Sequence, residues 1–367
     1  MLGGLYPLAG IIKDQTTIEC NDGGAEYVEA RVNCRLSDIL EQPDAFVLRS
    51  FLPVEIESIE AETGSLLFVQ ANFFDCGGVA LGVCISHKIG DAATLSTVIN
   101  SWANAAVDYP GPNSAASPLF MASSIFPPLN SRIPTMNLVR DKYVTRRYVF
   151  GSLNISAIKA QATSATVRQP TRVEAVTALI WKCMINITKS TKPFAKLSLM
   201  SHSVDLRKRV EPPLPENSIG NIVGMFFAAH STEMETDLPA LVSKLRKAKW
   251  EFNKNALEII NVEKKTWLKM CGIENLAERE DIDYCTYTSW CRFPFYEADF
   301  GWGKPIWATL PNTMLKNLVV LLDSRDGGGI EALVTLSKED MGLFEREEEL
   351  FEFAAVNPSV LNGHWSP

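Results

Sequence analysis

The chain has 367 residues, 46% of them apolar and 21% charged, and its 35 basic against 43 acidic side chains give a formal net charge of −8. That length and apolar share describe a folded protein of two domains and exclude a globally disordered chain. The acidic balance leaves no broad basic face for a nucleic-acid backbone, and no apolar run reaches the ~20 residues that cross a bilayer, so neither nucleic acid nor membrane is expected as a partner.

The opening residues Met1-Leu-Gly-Gly-Leu-Tyr-Pro-Leu-Ala-Gly10 lack the charged region, apolar core and cleavage site of a secretory leader, and a cytoplasmic location is expected. Eight cysteines (Cys20, Cys34, Cys76, Cys84, Cys183, Cys271, Cys285 and Cys291) form no Cys-x-x-Cys pair and no Cys/His cluster. They read as reduced thiols, with no metal expected. The sequons at Asn154 and Asn186 read as chance matches.

Cys20-Asn-Asp-Gly-Gly24 marks a turn, residues 25–32 alternate in polarity, and residues 65–74 and 79–87 read as strands flanking Asp75-Cys-Gly-Gly78. Glycines at that point supply the positive φ of a hairpin turn. Beyond it Leu95, Val98, Ile99, Trp102 and Ala106 recur at helical spacing, with Asp91 where an N-cap belongs. Residues 109–134 turn rich in Pro, Ser, Asn and Gly and form the expected interdomain connection. A strand at 143–150, helices at 154–161 and 171–187, and a strand at 197–204 follow. Arg207-Lys-Arg-Val-Glu-Pro-Pro-Leu-Pro215 must be a loop, since three prolines exclude a helix or a central strand. Residues 238–250 read as a basic amphipathic helix, 315–323 and 331–336 as strands, and 338–353 as an acidic helix.

The chain has only four histidines, His87, His202, His230 and His364. His364 lies in a Gly- and Pro-bearing tail, and His202 and His230 fall in strand-like stretches where packing is the simpler role. His87 differs: Ser86-His-Lys-Ile-Gly-Asp91 places it at a strand end, with a carboxylate four residues on and a glycine that permits a sharp bend. An imidazole with a reference pKa near ~6.5 can take a proton at neutral pH, which suits a general base. A bare His-x-x-x-Asp is common by chance, so context must support it. That context is Asp299-Phe-Gly-Trp-Gly303, an aromatic and glycine-dense loop. Its Asp-Phe-Gly could be a kinase element, but neither a His-Arg-Asp loop nor a glycine-rich phosphate loop accompanies it.

In this order and at this separation, Ser86-His-Lys-Ile-Gly-Asp91 and Asp299-Phe-Gly-Trp-Gly303 resemble the signatures of the BAHD family of plant coenzyme A-dependent acyltransferases. Tyr6-Pro-Leu-Ala-Gly10, the segment from Arg172 to Lys182, Asp205-Leu-Arg207 with its proline loop, and Gly220-Asn221 agree along the whole chain. Pro212-Pro-Leu-Pro215 and Thr288-Ser-Trp-Cys-Arg292 resemble the vinorine synthase-type alkaloid O-acetyltransferases within that family.

The resemblance implies an α/β fold of two similar, chloramphenicol acetyltransferase-like domains, each a mixed sheet with helices, and an active-site channel between them. Residues 1–125 would form the first domain and 126–367 the second, with the segment around 299–324 packing back onto the first. It implies transfer of an acetyl group from acetyl-CoA to a hydroxyl of a plant specialised metabolite, an alkaloid, by a monomer with no permanently bound cofactor. His87 would be the general base and Asp91 a structural, orienting residue partnered by Arg292. Asp299 would be architectural, paired with a cation, with a direct place in the active site as the alternative, and Gly301, Trp302 and Gly303 would shape its loop. Thr288, Ser289, Arg207, Arg209, Lys244 and Lys247 are the candidate coenzyme A contacts. An aromatic acyl donor and a non-catalytic homologue remain alternatives, whereas an esterase is excluded by the missing Gly-x-Ser-x-Gly elbow. A peptide-synthetase condensation domain fits poorly, because Ser86 stands where its preceding histidine would be. Because Tyr6-Pro-Leu-Ala-Gly10 resembles a motif placed well inside the first domain, and Ile11 replaces the arginine that follows it, the first elements of that domain are expected to be missing.

Overall fold

A computed structural model describes residues 3–14, 16–56, 64–107, 118–125, 143–254 and 279–361. The first part opens with a 3-10 turn, Gly3–Ala9, and a small hairpin of β1 (Ile11–Ile12) and β2 (Ile18–Glu19). A three-stranded mixed sheet follows. In it β3 (Glu26–Val32) runs parallel to β4 (Leu67–Phe74), and β4 pairs antiparallel with β5 (Val79–Ile85), with α1 (Leu36–Glu41) between β3 and β4 in the chain. The β4–β5 register, Leu67↔Ile85 to Phe73↔Val79, is that of the hairpin read from Asp75-Cys-Gly-Gly78, where Gly77 adopts φ +81°. The chain then enters α2 (Ala92–Ala106), whose Val98 packs with Leu5, Leu8, Leu67 and Val69 in a small core.

Most of the proposed connection lies outside the described residues; within it, β6 (Leu119–Phe120) and α3 (Ala122–Ile125) are described. The larger part holds a seven-stranded mixed sheet. Its strands in chain order are β7 (Tyr143–Phe150), β8 (Leu197–Asp205), β10 (Val223–Ser231), β11 (Ile282–Ser289), β12 (Leu318–Asp323), β13 (Ile330–Ser337) and β14 (Ala355–Val356). The spatial order is β10-β8-β11-β12-β13-β7-β14, with β8–β11 and β11–β12 parallel and the other pairs antiparallel. The remaining strand, β9 (Ser218–Ile219), pairs parallel with β6, and Ile219 joins the small core.

Helices α4 (Ser152–Gln161), α5 (Arg172–Thr191), α6 (Leu238–Lys254) and α7 (Lys338–Phe344) contribute to the large core. The start of α5 is written in its sequence. Thr171 Oγ1 accepts from Glu174 N at 3.1 Å while Glu174 Oε2 accepts from Thr171 N at 2.8 Å, a capping box. Its Leu179, Ile180, Trp181 and Cys183 are fully buried, so tertiary packing holds a helix rich in β-branched residues. The acidic stretch 338–353 is not one helix: α7 ends at Phe344 and α8 (Glu348–Phe351) restarts beyond a break at 345–347. Glu345, Glu347, Glu348 and Glu349 crowd like charges there, and across the break Glu345 meets Arg146, Glu347 meets Asn186 and Glu349 meets Lys182. Among the described residues no helix is long and apolar enough to cross a membrane.

Candidate active site

His87 lies two residues beyond the end of β5, in a turn rather than on the strand itself. Ile89 N and Gly90 N both donate to Ser86 O, at 3.0 and 3.2 Å, and this fold-back leaves His87 exposed while Ser86 is buried. Gly90 is required by space: a Cβ there would stand 2.8 Å from Thr94 Cγ2 and 3.0 Å from Ile85 Cδ1. Asp91 then caps α2, its Oδ1 accepting from Thr94 N at 2.8 Å.

Asp91 faces away from solvent and is 5% exposed; Arg207, the residue that meets it, is 1% exposed. Nη1 donates to Asp91 Oδ2 at 2.8 Å and Nη2 to Asp91 Oδ1 at 3.0 Å. The guanidinium also reaches Asp205 Oδ1 at 3.0 Å, Ser218 O at 3.0 Å, Thr94 Oγ1 at 3.1 Å and Gly220 O at 3.1 Å. Burial works against the Arg207 charge, but Asp91 and Asp205 outweigh it and raise its pKa above the ordinary arginine value. Two sequence expectations are corrected here. Asp91's partner is Arg207, not Arg292, which is exposed on a turn where its backbone N donates to Asp323 Oδ2 at 2.6 Å. Arg207, enclosed and fully engaged, is not available to a coenzyme A phosphate.

The pair also organises the segment that approaches His87 from the larger part of the molecule. Gly220 O accepts from Thr94 Oγ1 at 2.9 Å, and Ile222 N donates to Asp91 Oδ2 at 2.9 Å. Gly220 has φ +152°, and a Cβ there would sit 2.2 Å from Ala122 Cβ. Between these two anchored residues Asn221 turns its Nδ2 to His87 O at 2.8 Å and to His87 Nδ1 at 3.2 Å. No local pattern marks Asn221 as functional; the family-like pair Gly220-Asn221 is the one signal that points to it.

Among the described residues Asp299 pairs with no cation. Its Oδ1 accepts from Gly301 N at 2.8 Å and Gly303 N at 2.9 Å, closing its own loop, in which the two glycines adopt φ +97° and +106°. The loop packs on α2 through Phe300, edge-on to Trp102 with centroids 4.8 Å apart, and Trp302 stacks on Phe300 while remaining 72% exposed. Nearby, Asn100 Nδ2 donates to Pro294 O at 2.9 Å and Arg49 Nη1 to Asn312 O at 2.9 Å. The 294–312 stretch therefore touches elements of the first part, whereas β12 belongs to the large sheet.

Thr288 and Ser289 lie half-buried at the end of β11. Lys244 donates to Ala229 O at 3.2 Å, and Lys247 lies 4.0 Å from Glu251 on exposed surface of α6. Arg209 binds Asp205 O and donates to Asn253 Oδ1 at 3.1 Å. Lys249, absent from the sequence candidates, has its pKa lowered by burial and by neighbouring Arg209, Arg292 and Arg246, against the pull of Glu174. Burial lowers Arg209 as well. His202 is a core residue stacked on Phe226 at 5.3 Å and Tyr287 at 6.3 Å, and His230 is buried edge-on to Trp181. His364 and Cys271 lie outside the described residues.

A two-part α/β fold of mixed sheets, with an exposed histidine at the meeting of the parts, defines a transferase of the chloramphenicol acetyltransferase-like architecture. The model of the Transferase family matches residues 1–351, and the chain belongs to that family, the BAHD acyl-CoA-dependent acyltransferases. It is 39% identical over 354 residues to akuammiline synthase 1 of Alstonia scholaris, covering 96% of this chain and 82% of that protein. It is 36% identical over 376 residues to minovincinine 19-hydroxy-O-acetyltransferase of Catharanthus roseus, covering 95% and 83%. Vinorine synthase of Rauvolfia serpentina is 35% identical over 355 residues, covering 93% and 80%. The crystal structure of vinorine synthase superposes with a TM-score of 0.80 at 33% identity, covering 96% of this chain and 82% of that one.

Proposed function

We propose that the protein transfers an acetyl group from acetyl-CoA to a hydroxyl of an alkaloid, with His87 as general base. The observation that carries this reading is the placement of His87: it is exposed on a turn closed by two bonds to Ser86 O, and Asn221 from the other part of the molecule donates to its carbonyl and lies against its ring. The imidazole takes the hydroxyl proton as the oxygen attacks the thioester carbonyl. A tetrahedral oxyanion forms and collapses, the carbon–sulfur bond breaks, and the imidazolium returns its proton to the leaving thiolate. Atoms balance without an acyl-enzyme. Asp91 acts on this chemistry only by shaping the turn, since its oxygens are spent on Arg207, Thr94 and Ile222.

For the donor's phosphates we assign the cations around Arg209 and Lys249, with Lys244 and Lys247 further along α6. Burial lowers the pKa of Lys249, and repulsion from Arg209, Arg292 and Arg246 lowers it further against the pull of Glu174; an incoming polyanion relieves that repulsion. Thr288 and Ser289 supply hydroxyl donors. The acetyl preference and the alkaloid acceptor are supported by the likeness to the minovincinine 19-hydroxy-O-acetyltransferase of Catharanthus roseus and to vinorine synthase. The test is release of free thiol when the purified protein is mixed with acetyl-CoA and a panel of alkaloid alcohols. Acetylated alkaloid with matching thiol supports the reading; thiol release only with an aromatic acyl-CoA overturns the donor, and none with any donor favours a non-catalytic homologue.

A further inference from the structure

We infer that Asn221 is a positioning residue for His87, and that the buried Asp91–Arg207 pair reaches the histidine through it; the inference rests on His87 being the base. A carbonyl oxygen can only accept, so the 2.8 Å contact to His87 O requires the Asn221 carboxamide to present its nitrogen. The same nitrogen stands 3.2 Å from Nδ1; a base that takes a proton at Nε2 carries its hydrogen on Nδ1, so this approach is a packing contact and the bond to His87 O is the one that positions the residue. One side chain thus holds the His87 peptide plane and lies against its ring.

The backbone on either side of Asn221 belongs to the ion-pair node. Gly220 O accepts from Arg207 Nη2 at 3.1 Å and Ile222 N donates to Asp91 Oδ2 at 2.9 Å. The amide therefore projects from a clamped segment onto His87, an exposed residue of its turn. Asn221 itself is exposed, so truncating it uncovers no core. Loss of aim, rather than loss of fold, is the consequence: misplacing a reacting group by ~1 Å can cost ~10²-fold in rate.

The experiment compares Asn221→Ala and Asn221→Asp with the parent in the full chain. Asn221→Asp keeps the shape but removes the N–H donors and sets an oxygen against the His87 carbonyl. The first readout is the imidazole ¹⁵N spectrum, with the His87 signals assigned by their disappearance in His87→Ala; it needs no substrate. The second is kcat and KM with acetyl-CoA and whichever alcohol the parent accepts. Altered His87 ring signals in both variants, with kcat reduced ~10²-fold, unchanged KM for acetyl-CoA and Asn221→Asp no better than Asn221→Ala, is the expected result. Parent-like ring signals in both variants overturn the inference, and so does a parent-like kcat in Asn221→Asp. Should the parent itself show no turnover, the acyl-transfer reading fails while the ring signals still decide the role of Asn221.

Discussion

Arg207 grips Asp91 in a two-pronged contact, Nη1 to Oδ2 at 2.8 Å and Nη2 to Oδ1 at 3.0 Å, across 116 residues of chain. The node it creates joins the first turn of α2, β9 and the start of β10, elements from both parts of the molecule. A charged pair this enclosed gains little net stability over an apolar substitute, yet breaking it strands an ion. Its role is to fix geometry at the site.

We expect Asp91→Ala to lower unfolding stability by about 3–5 kcal/mol, because Arg207 would keep its charge without a carboxylate. Urea denaturation reads the loss. Arg207→Ala should cost a comparable amount, and the double variant much less than the sum of the two, since the second change removes a partner already stranded. Strictly additive losses would show that the two side chains do not act as a unit.

His87→Ala should reduce turnover by ~10²–10⁴-fold, the usual worth of a general base. Because His87 is exposed and packs on no core, thermal stability and binding of coenzyme A, measured by calorimetry, should stay at parent values. Parent-like turnover in this variant would remove the mechanism.

Asp299→Asn should behave like the parent in both activity and stability, because the amide keeps the Oδ1 acceptor that closes the loop on Gly301 N and Gly303 N. Asp299→Ala loses both bonds and should cost about 1–2 kcal/mol, with Phe300 no longer held against Trp102. A folded but inactive Asp299→Asn would instead assign the carboxylate a direct part in the chemistry.

Local features were legible in the sequence and long-range choices were not. The β4–β5 hairpin, the Asp91 cap and α5 each follow from residues within one turn or one period of one another. β11 does not announce itself as a strand; it lies parallel to β8, about eighty residues earlier in the chain, and its Asp-Tyr-Cys-Thr-Tyr-Thr run gives little apolar alternation. The choice between Arg207 and Arg292 for Asp91 also lay beyond any local rule. Arg207 reads as a phosphate contact because an acidic chain must concentrate its cations locally to hold coenzyme A, whereas the fold of that loop takes its side chain inward. Asp299 misled in the opposite sense, since two following glycines offered backbone N–H groups that made a cation unnecessary.

The last expectation concerns pH and a histidine outside the site. Burial lowers the pKa of His202 from its ordinary 6.5 to about 4; repulsion from Lys249 and Arg209 adds to this, while the Nδ1–H bond to Ser203 O at 2.9 Å pulls the other way. The folded state thus binds the proton less readily than the unfolded chain. The sign follows: the stabilising effect is fully present above pH ~6.5 and is lost as pH falls through the window to about 4, amounting to about 3 kcal/mol. His202→Phe keeps an aromatic ring stacked between Phe226 and Tyr287 but cannot take a proton. Urea midpoints measured from pH 7 down to pH 4 should therefore fall more steeply for the parent than for His202→Phe. Parallel curves would mean that His202 does not titrate between the folded and unfolded states.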